Sequence, residues 1–331
     1  MKYAGYILDL DGVVYIGNDA VPHAIDSLNA AADAGIRLTA ATNNANRPAA
    51  DVAAHLVELG LRIDTADVVT SAQAAAHELA RLLPAGAEVL AVGGPGVAWA
   101  LESVGLVPLR AAADLAVSDD VARRARAVMM GYGPSVAWHD LAAAHWAIQR
   151  DIPWMATNTD STVPTKYGRA PGNGSLVRAL MHASGLEPMI AGKPQPTLFE
   201  STIREIGSRD VLVIGDRFDT DIDGAAACGV DSLLVLTGVH GLAELAEQPI
   251  ERWPQFVAQD LRSLAGPLAS VGLDGDAVTV DSTHPLVLSV EVAARARLGQ
   301  RLQIPAYVAG PEAAPLVDLR PFLAAAGSVR A

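Results

Sequence analysis

The sequence predicts an α/β fold with a doubly wound, Rossmann-like parallel-sheet core, a second inserted α/β domain and a small C-terminal accessory segment. Short apolar runs alternate with helix-period stretches along most of the 331 residues. This alternation is typical of a parallel sheet with helices on both faces. Polar patches follow several of the apolar runs, and ligands of such sheets bind outside the carboxyl ends of the strands. The patches are therefore expected to meet at one edge of the sheet.

Composition excludes several classes of function. Hydrophobic residues make up 51% and charged residues 18%, with a net charge of −13 and a pI near 5.0. Without a basic run, such a chain repels phosphate-rich polymers, so we expect no nucleic-acid partner. Cys228 is the only cysteine, which rules out an internal disulfide framework and a cysteine zinc site. No segment approaches the ~18 apolar residues of a membrane span, so we expect a soluble cytoplasmic protein with no membrane partner.

The N-terminal third predicts two strands and a helix. Tyr6 to Leu8 form an apolar run, and residues 37–41 form a second strand. A helix is predicted next, with Asn46 as its N-cap, Pro48 in its first turn and Gly60 at its end.

The long segment between Asn44 and Lys193 has strand and helix signals of its own. Residues 88–92, 127–130 and 153–156 predict strands that alternate with helical stretches. This pattern indicates a second α/β domain inserted into the first. We therefore predict a core domain at 1–70 and 186–258, the inserted domain at 71–185 and the accessory segment at 259–331.

The C-terminal part contains another buried strand and a segment without assigned chemistry. Residues 211–214 are fully apolar and end at Gly215-Asp216. In the accessory segment, residues 277–280 and 286–290 predict strands and residues 291–298 predict a helix. About 70 residues without a disulfide or a metal are near the lower limit for an independent core. The segment should pack on the core or on another subunit, so a homo-oligomer is compatible with the sequence.

Asp9-Leu10-Asp11-Gly12 closes the first apolar run. Residues two apart on a strand project to one face, so Asp9 and Asp11 can address one substrate. A carboxylate can form an aspartyl-phosphate and divide a difficult hydrolysis into two steps. We assign Asp9 as the nucleophile and Asp11 as the general acid and then the base. Taken alone, the tetrapeptide is more typical of a turn or a helix cap than of a catalytic site.

Two further patches could bind phosphate. Thr42 offers a hydroxyl, and the backbone N–H groups of Asn43 and Asn44 can surround phosphate oxygens. Lys193 lies just before a helix whose first turn tolerates Pro194 and Pro196, and its ammonium could hold nucleophile and phosphate together. Taken alone, the first patch is typical of a helix-entry turn and the lysine of solvated surface.

Asp216 follows the apolar strand directly and suits a magnesium ligand. Mg²⁺ is usually held by one or two carboxylates together with water and substrate oxygens. We predict a site formed by Asp9, Asp11 and Asp216, with Asp221 orienting the ligands from behind.

Two other motifs offer alternatives, and both are incomplete. The run from Asp219 to Gly224 resembles the first half of an EF-hand calcium loop, but Val230 occupies the position that needs a bidentate glutamate. Gly94-Pro95-Gly96 resembles a dinucleotide-binding fingerprint, but Trp99 replaces its third glycine. We therefore favour magnesium over calcium and expect no dinucleotide.

Taken in order, the patches resemble the haloacid dehalogenase-like phosphatase superfamily. The resemblance rests on Asp9-Leu10-Asp11-Gly12, Thr42, Lys193 and Gly215-Asp216 with Thr220-Asp221, and covers about residues 5–257. Asp11 and Thr42 are too close for a domain between them, whereas the chain between Thr42 and Lys193 holds one easily. The chain is thus similar to the NagD and p-nitrophenyl phosphatase-like branch, which has a large α/β cap domain and includes actinobacterial glycerol-3-phosphate phosphatases.

The resemblance implies an Mg²⁺-dependent phosphatase of a small phosphorylated metabolite, with glycerol 3-phosphate favoured and 2-phosphoglycolate second. The expected cap contacts with substrate are Asn158, Asp160, Arg169 and Asn173. Two departures concern substrate preference and cap geometry: Ala45 stands where relatives often carry serine, and Thr159 where they often carry proline. A haloalkanoate dehalogenase is disfavoured because Asp11 would have no task there. The alternative of another class is a phosphometabolite-binding regulator with incidental turnover.

Overall fold

A computed structural model of the chain describes residues 3–165, 167–274, 277–297 and 313–326. Contacts within the chain group the residues into two compact units. The first unit takes residues from 1–40, 56–63 and 202–331, and the second takes 41–55 and 64–201. This grouping differs from the predicted domain boundaries, because 41–55, 64–70 and 186–201 join the second unit. The predicted boundaries stay a prediction.

The secondary structure alternates strands and helices as expected. The described strands are β1 (Gly5–Leu8), β2 (Tyr15–Ile16), β3 (Asp19–Ala20), β4 (Arg37–Thr42), β5 (Val68–Thr70), β6 (Glu88–Val92), β7 (Val107–Leu109), β8 (Ala127–Met130), β9 (Trp154–Ala156), β10 (Thr162–Thr165), β11 (Gly168–Pro171), β12 (Met189–Ile190), β13 (Val211–Gly215), β14 (Asp231–Val235), β15 (Phe256–Ala258), β16 (Leu268–Asp274), β17 (Ala277–Val280) and β18 (Leu316–Asp318). The predicted strands at 37–41, 88–92, 127–130, 153–156, 211–214 and 277–280 correspond to β4, β6, β8, β9, β13 and β17.

Helices connect these strands. They are α1 (Ala24–Asp33), α2 (Ala49–Glu58), α3 (Ser71–Leu82), α4 (Pro95–Ser103), α5 (Leu115–Arg124), α6 (Trp138–Ile148), α7 (Asn173–Ser184), α8 (Pro196–Ile206), α9 (Asp223–Cys228), α10 (Leu242–Glu247), α11 (Pro285–Arg297) and α12 (Arg320–Ala325). Helix α8 begins at Pro196, since proline already has helical φ and a first-turn residue needs no N–H partner. Helix α2 begins at Ala49, so the prediction that Asn46 is its N-cap is wrong. The N–H of Asn46 instead donates to Asn44 Oδ1 at 2.9 Å.

The strands of the first unit lie in the order β17-β16-β18-β15-β14-β13-β1-β4. Its central part, from β15 to β4, is parallel, as predicted. Toward the C-terminal strands the sheet becomes mixed, because β18 pairs with β15 in the antiparallel sense. In the register, Leu8 lies beside Ile214, and Gly215 lies beside Leu234. The carboxyl ends of β1, β13 and β14 are therefore neighbours.

The described part of the accessory segment packs within the first unit. Its strands β16 and β18 extend the sheet, and its helices contribute Leu286, Val290 and Phe322 to a core that also contains Trp253. The rings of Trp253 and Phe322 are 5.5 Å apart. Burial of this apolar surface explains why the segment needs neither a disulfide nor a metal.

One predicted strand in this segment is wrong. Residues 286–290 belong to helix α11, which also contains most of the predicted helix at 291–298; Leu298 lies outside the described residues. The buried positions Leu286, Val287, Val290, Ala293 and Ala294 follow a helical period. A short run of valine and leucine predicts a strand by composition, but packing of this face on the core favours the helix.

The second unit has a parallel sheet of its own, in the order β12-β9-β8-β6-β7. Strands β10 and β11 form a separate antiparallel hairpin. The core between helices and sheet includes Val92, Met130, Ala147, Trp154 and Leu180. Helix α3 begins with a capping box, in which Thr70 and Gln73 exchange side-chain to backbone hydrogen bonds. The predicted inserted α/β fold is confirmed.

Within the described part of the chain, no helix combines the length and the apolar character needed to cross a bilayer. Cys228 lies buried at the end of α9, as expected for a small core residue.

We expect truncation near Gly266 to lower stability or solubility without removing the chemistry. The cut deletes β16, β18 and α12 and exposes Trp253 and its apolar neighbours. Every predicted catalytic residue lies upstream of it. We expect kcat per folded active site to stay within about 10-fold of the full chain, or about 1.4 kcal/mol in the barrier. Thermal unfolding measures the loss of stability, and kinetics normalised to the concentration of folded active sites measures kcat. A soluble, monodisperse truncation that binds Mg²⁺ normally but has lost several orders of magnitude in turnover would contradict this.

Candidate active site

Three carboxylates of the first unit lie together at the carboxyl ends of neighbouring strands. Asp9 directly follows β1, and Asp216 directly follows β13. Asp221 lies in a π-helical turn at Phe218–Ile222, just before α9. One oxygen from each of the three carboxylates lies within 4.8 Å of the others. Asp216 and Asp221 are almost completely buried, whereas Asp9 is partly exposed.

The backbone holds each of these acids at a defined point. The N–H of Asp9 donates to the carbonyl of Ile214 at 2.9 Å, which extends the β1–β13 pairing by one residue. Asp221 Oδ2 accepts a hydrogen bond from the N–H of Arg217 at 3.2 Å. Asp216 Oδ2 accepts one from the N–H of Val239 at 2.6 Å. Hydrogen bonds of this kind stabilise the ionised form and fix the direction of the carboxylate.

Glycines surround the acids closely. Gly12 has a φ of 83°, and a Cβ there would lie 2.6 Å from Asp216 Oδ2. A Cβ at Gly238 would overlap Asp216, and a Cβ at Gly215 would overlap the Asp221 carboxylate. The backbone thus approaches the carboxylates more closely than any other residue type would allow.

The donor set fits Mg²⁺. All three groups are hard carboxylate oxygens, two of them are buried, and Asp9 is open enough to admit water or substrate. Mg²⁺ keeps several such non-protein ligands. Buried acids in close proximity repel one another, and a divalent cation would remove that cost.

The neighbouring acids Asp219 and Asp11 lie apart from this group. Burial raises the pKa of Asp219, but Arg217 donates to it at 3.0 and 2.7 Å, and the net pKa lies below the ordinary value. Asp11 is exposed, and its backbone bridges to Tyr15. The structure does not bring the Asp11 side chain into the three-carboxylate group, so its predicted metal contact stays a prediction.

In the second unit, Asn43 binds the backbone of Lys193 from both sides. Asn43 Oδ1 accepts from the N–H of Lys193 at 2.8 Å, and Nδ2 donates to the Lys193 carbonyl at 3.3 Å. The lysine is buried, and its Nζ lies 5.7 Å from the centre of the Phe199 ring. Thr42 ends β4, and its Oγ1 accepts from the N–H of Asn44 at 3.1 Å. The structure therefore joins the Asn43 loop and the lysine turn, which are far apart in sequence.

Three of the predicted cap contacts belong to the same hydrogen-bond network. Asn173 Nδ2 donates to the carbonyl of Asn158 at 2.7 Å, and Asn158 Nδ2 donates to the carbonyl of Asn43 at 2.7 Å. Asp160 Oδ1 accepts from Asn43 Nδ2 at 3.2 Å. Asn158 and Asn173 are buried at 3% and 0% exposure, which places both behind the loop surface. Arg169 lies exposed on β11. Substrate contact by these four residues stays a prediction.

Comparison with known proteins decides the family. A model of the haloacid dehalogenase-like hydrolases matches residues 6–107, and a related HAD-hydrolase-like model matches residues 190–264. The D-glycerol 3-phosphate phosphatase of Mycobacterium tuberculosis is 44% identical over 258 residues, which are 78% of this chain and 70% of that protein. This chain belongs to the haloacid dehalogenase-like hydrolases.

Other phosphatases and solved structures are also similar to this chain. The 5'-nucleotidase YutF of Bacillus subtilis is 32% identical over 72% of this chain and 88% of its own length. The crystal structure of a glycerol phosphate phosphatase from Mycobacterium tuberculosis in complex with magnesium has a TM-score of 0.76, 40% identity, and coverage of 91% and 92% of the two chains. The p-nitrophenyl phosphatase from Archaeoglobus fulgidus has a TM-score of 0.71 and 27% identity, with 80% and 98% covered.

These findings confirm the family, the α/β fold class and the prediction of a phosphatase, and the three-carboxylate group fits the predicted Mg²⁺. Sequence reasoning missed one segment of this hydrolase, Thr237 to His240, which follows β14 and contacts Asp216. The available signal was the same as for Asp9 and Asp216, namely polar and glycine residues directly after a buried parallel strand.

Proposed function

We propose that this hydrolase converts glycerol 3-phosphate to glycerol and phosphate. The observation that supports this substrate is the 44% identity to a D-glycerol 3-phosphate phosphatase, combined with the carboxylate group at Asp9, Asp216 and Asp221. The identities to a 5'-nucleotidase and to acid sugar phosphatases are lower, between 29% and 32%. All of these relatives are named for small phosphorylated substrates, and the relatives disagree only on which one.

In the proposed first step, a carboxylate oxygen of Asp9 attacks phosphorus. The Asp9 O–P bond forms as the ester P–O bond breaks, and the leaving glycerol oxygen takes a proton from Asp11. Asp9 suits this step because it is the most exposed of the three grouped carboxylates, and its backbone N–H is hydrogen-bonded to the carbonyl of Ile214. Asp11 suits the proton transfer because it is exposed and outside the buried group.

In the second step, water attacks the phosphorus of the aspartyl-phosphate. Asp11 takes a proton from the water, the Asp9 O–P bond breaks, and inorganic phosphate leaves. Bound Mg²⁺ would neutralise charge on the phosphoryl oxygens. Asp9 and Asp216 would hold the ion, and Asp221 lies close enough to share in this task.

Phosphate binding is assigned to Thr42, Asn43, Asn44 and Lys193. The bond pair between Asn43 and the Lys193 backbone supports treating the loop and the lysine as one structural element. A cation and backbone donors that are fixed before the substrate arrives need little reorganisation during the reaction. The homo-oligomer and the cytoplasmic location stay predictions from the sequence.

A panel of phosphate esters tests the proposal. It contains glycerol 3-phosphate, 2-phosphoglycolate, a sugar phosphate, a nucleoside 5'-monophosphate and p-nitrophenyl phosphate, each with added Mg²⁺. We expect kcat/KM for glycerol 3-phosphate to exceed that of the other natural esters by at least about 10-fold, or about 1.4 kcal/mol. A higher kcat/KM for any other natural ester would overturn the proposed assignment of the substrate. The alternative substrate to compare first is 2-phosphoglycolate.

The same panel separates the enzyme from the phosphometabolite-binding regulator. Rapid phosphate release from a natural ester would exclude the hypothesis that the protein is a regulator. Tight binding of an ester without turnover, measured by calorimetry, would favour the regulator and overturn the proposed function.

A further inference from the structure

The turn after β14 lies against the carboxylate group. Strand β14 ends at Val235, and residues Thr237, Gly238, Val239 and His240 follow before helix α10. We call residues 237–240 the support loop. Gly238 and Val239 are exposed, so the loop is a surface turn whose backbone faces the buried acids.

The support loop binds Asp216 twice through its backbone. The N–H of Val239 donates to Asp216 Oδ2 at 2.6 Å, and the N–H of His240 donates to the Asp216 carbonyl at 3.1 Å. Gly238 makes this approach possible, because a Cβ at that position would overlap the Asp216 carboxylate. The φ of Gly238 lies outside the left-handed region, so its requirement for glycine comes from space and not from backbone conformation.

The same loop also contacts the segments that carry the other two acids. Thr237 Oγ1 donates to the carbonyl of Gly12 at 2.6 Å, in the turn after Asp9. His240 Nδ1 accepts from the N–H of Phe218 at 2.9 Å, at the start of the π-helical turn that contains Asp221. The His240 and Phe218 rings are stacked with centroids 5.4 Å apart. One short turn therefore connects all three carboxylate-bearing segments.

We propose that the support loop positions Asp216 for Mg²⁺, with Gly238 and Thr237 as its decisive residues. A charge-assisted N–H···O bond fixes which Asp216 oxygen faces the backbone and which faces the metal position. Outer groups of this kind commonly set metal affinity by 10- to 100-fold, or about 1.4 to 2.7 kcal/mol. Thr237 and Gly238 are positioning residues, since they act through Gly12 and Asp216. The inference rests on the proposed function only through its use of Mg²⁺.

Magnesium titration of Gly238→Ala tests the loop without any substrate. The added methyl group displaces the Asp216 carboxylate, so we expect the Kd for Mg²⁺ to rise by about 10- to 100-fold. Isothermal titration calorimetry measures this, and the rise in Tm on adding Mg²⁺ should shrink accordingly.

Gly241→Ala is the matched control. It adds the same methyl group three residues later, where φ is −120° and the nearest atom, Glu244 Oε2, would lie 3.4 Å from the Cβ. The N–H of Gly241 still donates to Glu244, the bond that holds the pKa of that carboxyl below its ordinary value. We expect the Mg²⁺ affinity of this variant to match that of the unmodified protein.

Thr237→Val and Thr237→Ser provide a second pair: valine keeps the size of the side chain and removes the hydroxyl, whereas serine keeps the hydroxyl and removes the methyl group. Valine removes the hydrogen bond to Gly12 and should raise the Kd for Mg²⁺ by about 10-fold. Serine keeps the hydroxyl, so it should restore an affinity close to that of the unmodified protein. A structural role in stability alone would lower the Tm of the metal-free protein without changing the Kd.

Two results would overturn the inference. One is an unchanged Kd in Gly238→Ala or, if that variant does not fold, in Thr237→Val. The other is an equal loss of affinity in Gly241→Ala or in Thr237→Ser. Both outcomes are independent of the ester panel, because the titrations contain no ester. If the ester panel contradicts the proposed substrate, the Mg²⁺ titrations can still support the role of the support loop. If the titrations contradict that role, the ester panel can still support the substrate.

Discussion

Asp9→Asn is expected to abolish turnover while leaving the fold intact. An amide oxygen cannot form the aspartyl-phosphate, and no other carboxylate of the three-acid group is comparably open. The backbone bond from Asp9 to Ile214 does not involve the side chain and should persist. We expect kcat to fall by at least about 10⁴-fold, which corresponds to about 5.5 kcal/mol in the barrier. Steady-state kinetics on the best ester of the panel, with circular dichroism of the same sample, measures both.

Asp19→Asn is the control for this substitution. It makes the same chemical change at an exposed carboxylate on β3, in the same unit of the chain. Its kcat should stay close to that of the unmodified protein. Mass spectrometry of Asp9→Asn excludes deamidation back to aspartate. Substantial activity in a folded, verified sample would remove Asp9 as the nucleophile.

Removal of divalent metal is the second change with a large expected effect. EDTA should reduce turnover to the limit of detection, and added Mg²⁺ should restore it. The reason is that the three carboxylates offer oxygen ligands and would leave coordination positions of the ion open for water and phosphate. Mg²⁺ should also raise Tm, since it binds the folded state and offsets repulsion among the buried acids.

The same assay distinguishes Mg²⁺ from the larger Ca²⁺. Ca²⁺ has longer bonds and a looser coordination shell, so it places phosphate and nucleophile less accurately. We expect Ca²⁺ to raise Tm but to support little turnover. Comparable rates with the two ions would contradict the proposed geometry, and full activity after exhaustive chelation would contradict metal dependence.

The sequence predicted the site best where chemistry and local structure coincide. Asp9 and Asp216 directly follow apolar strands, and the carboxyl ends of neighbouring parallel strands meet by topology alone. Their proximity could therefore be inferred from two short motifs. Asp221 is predicted to orient the ligands from behind; its carboxylate lies within the same group as the other two, and its role stays a prediction. The π-helical turn that brings it there has no recognisable pattern in the sequence.

Other features depended on packing between distant segments. Residues 286–290 have the composition of a strand, but burial of Leu286, Val287 and Val290 against the first-unit core favours a helix. Asn158 and Asn173 are predicted substrate contacts, and that role stays a prediction; the structure adds that both are buried and that their amides donate to backbone carbonyls. Polarity alone does not distinguish a side chain that faces a ligand from one that supports a loop.

The sequence by itself determined the family, the α/β class, the nucleophile candidate and the preference for a hard divalent cation. These conclusions depend on residue types at strand ends, which are local properties. The tertiary structure decided how the acids are held, through the bond from Val239 to Asp216 and the contact of Thr237 with Gly12. It also decided, separately, the attachment of Lys193 to Asn43. Each of these joins segments that are well separated along the chain. Only folding brings such backbone donors and acceptors within hydrogen-bond distance, so no local pattern specifies them.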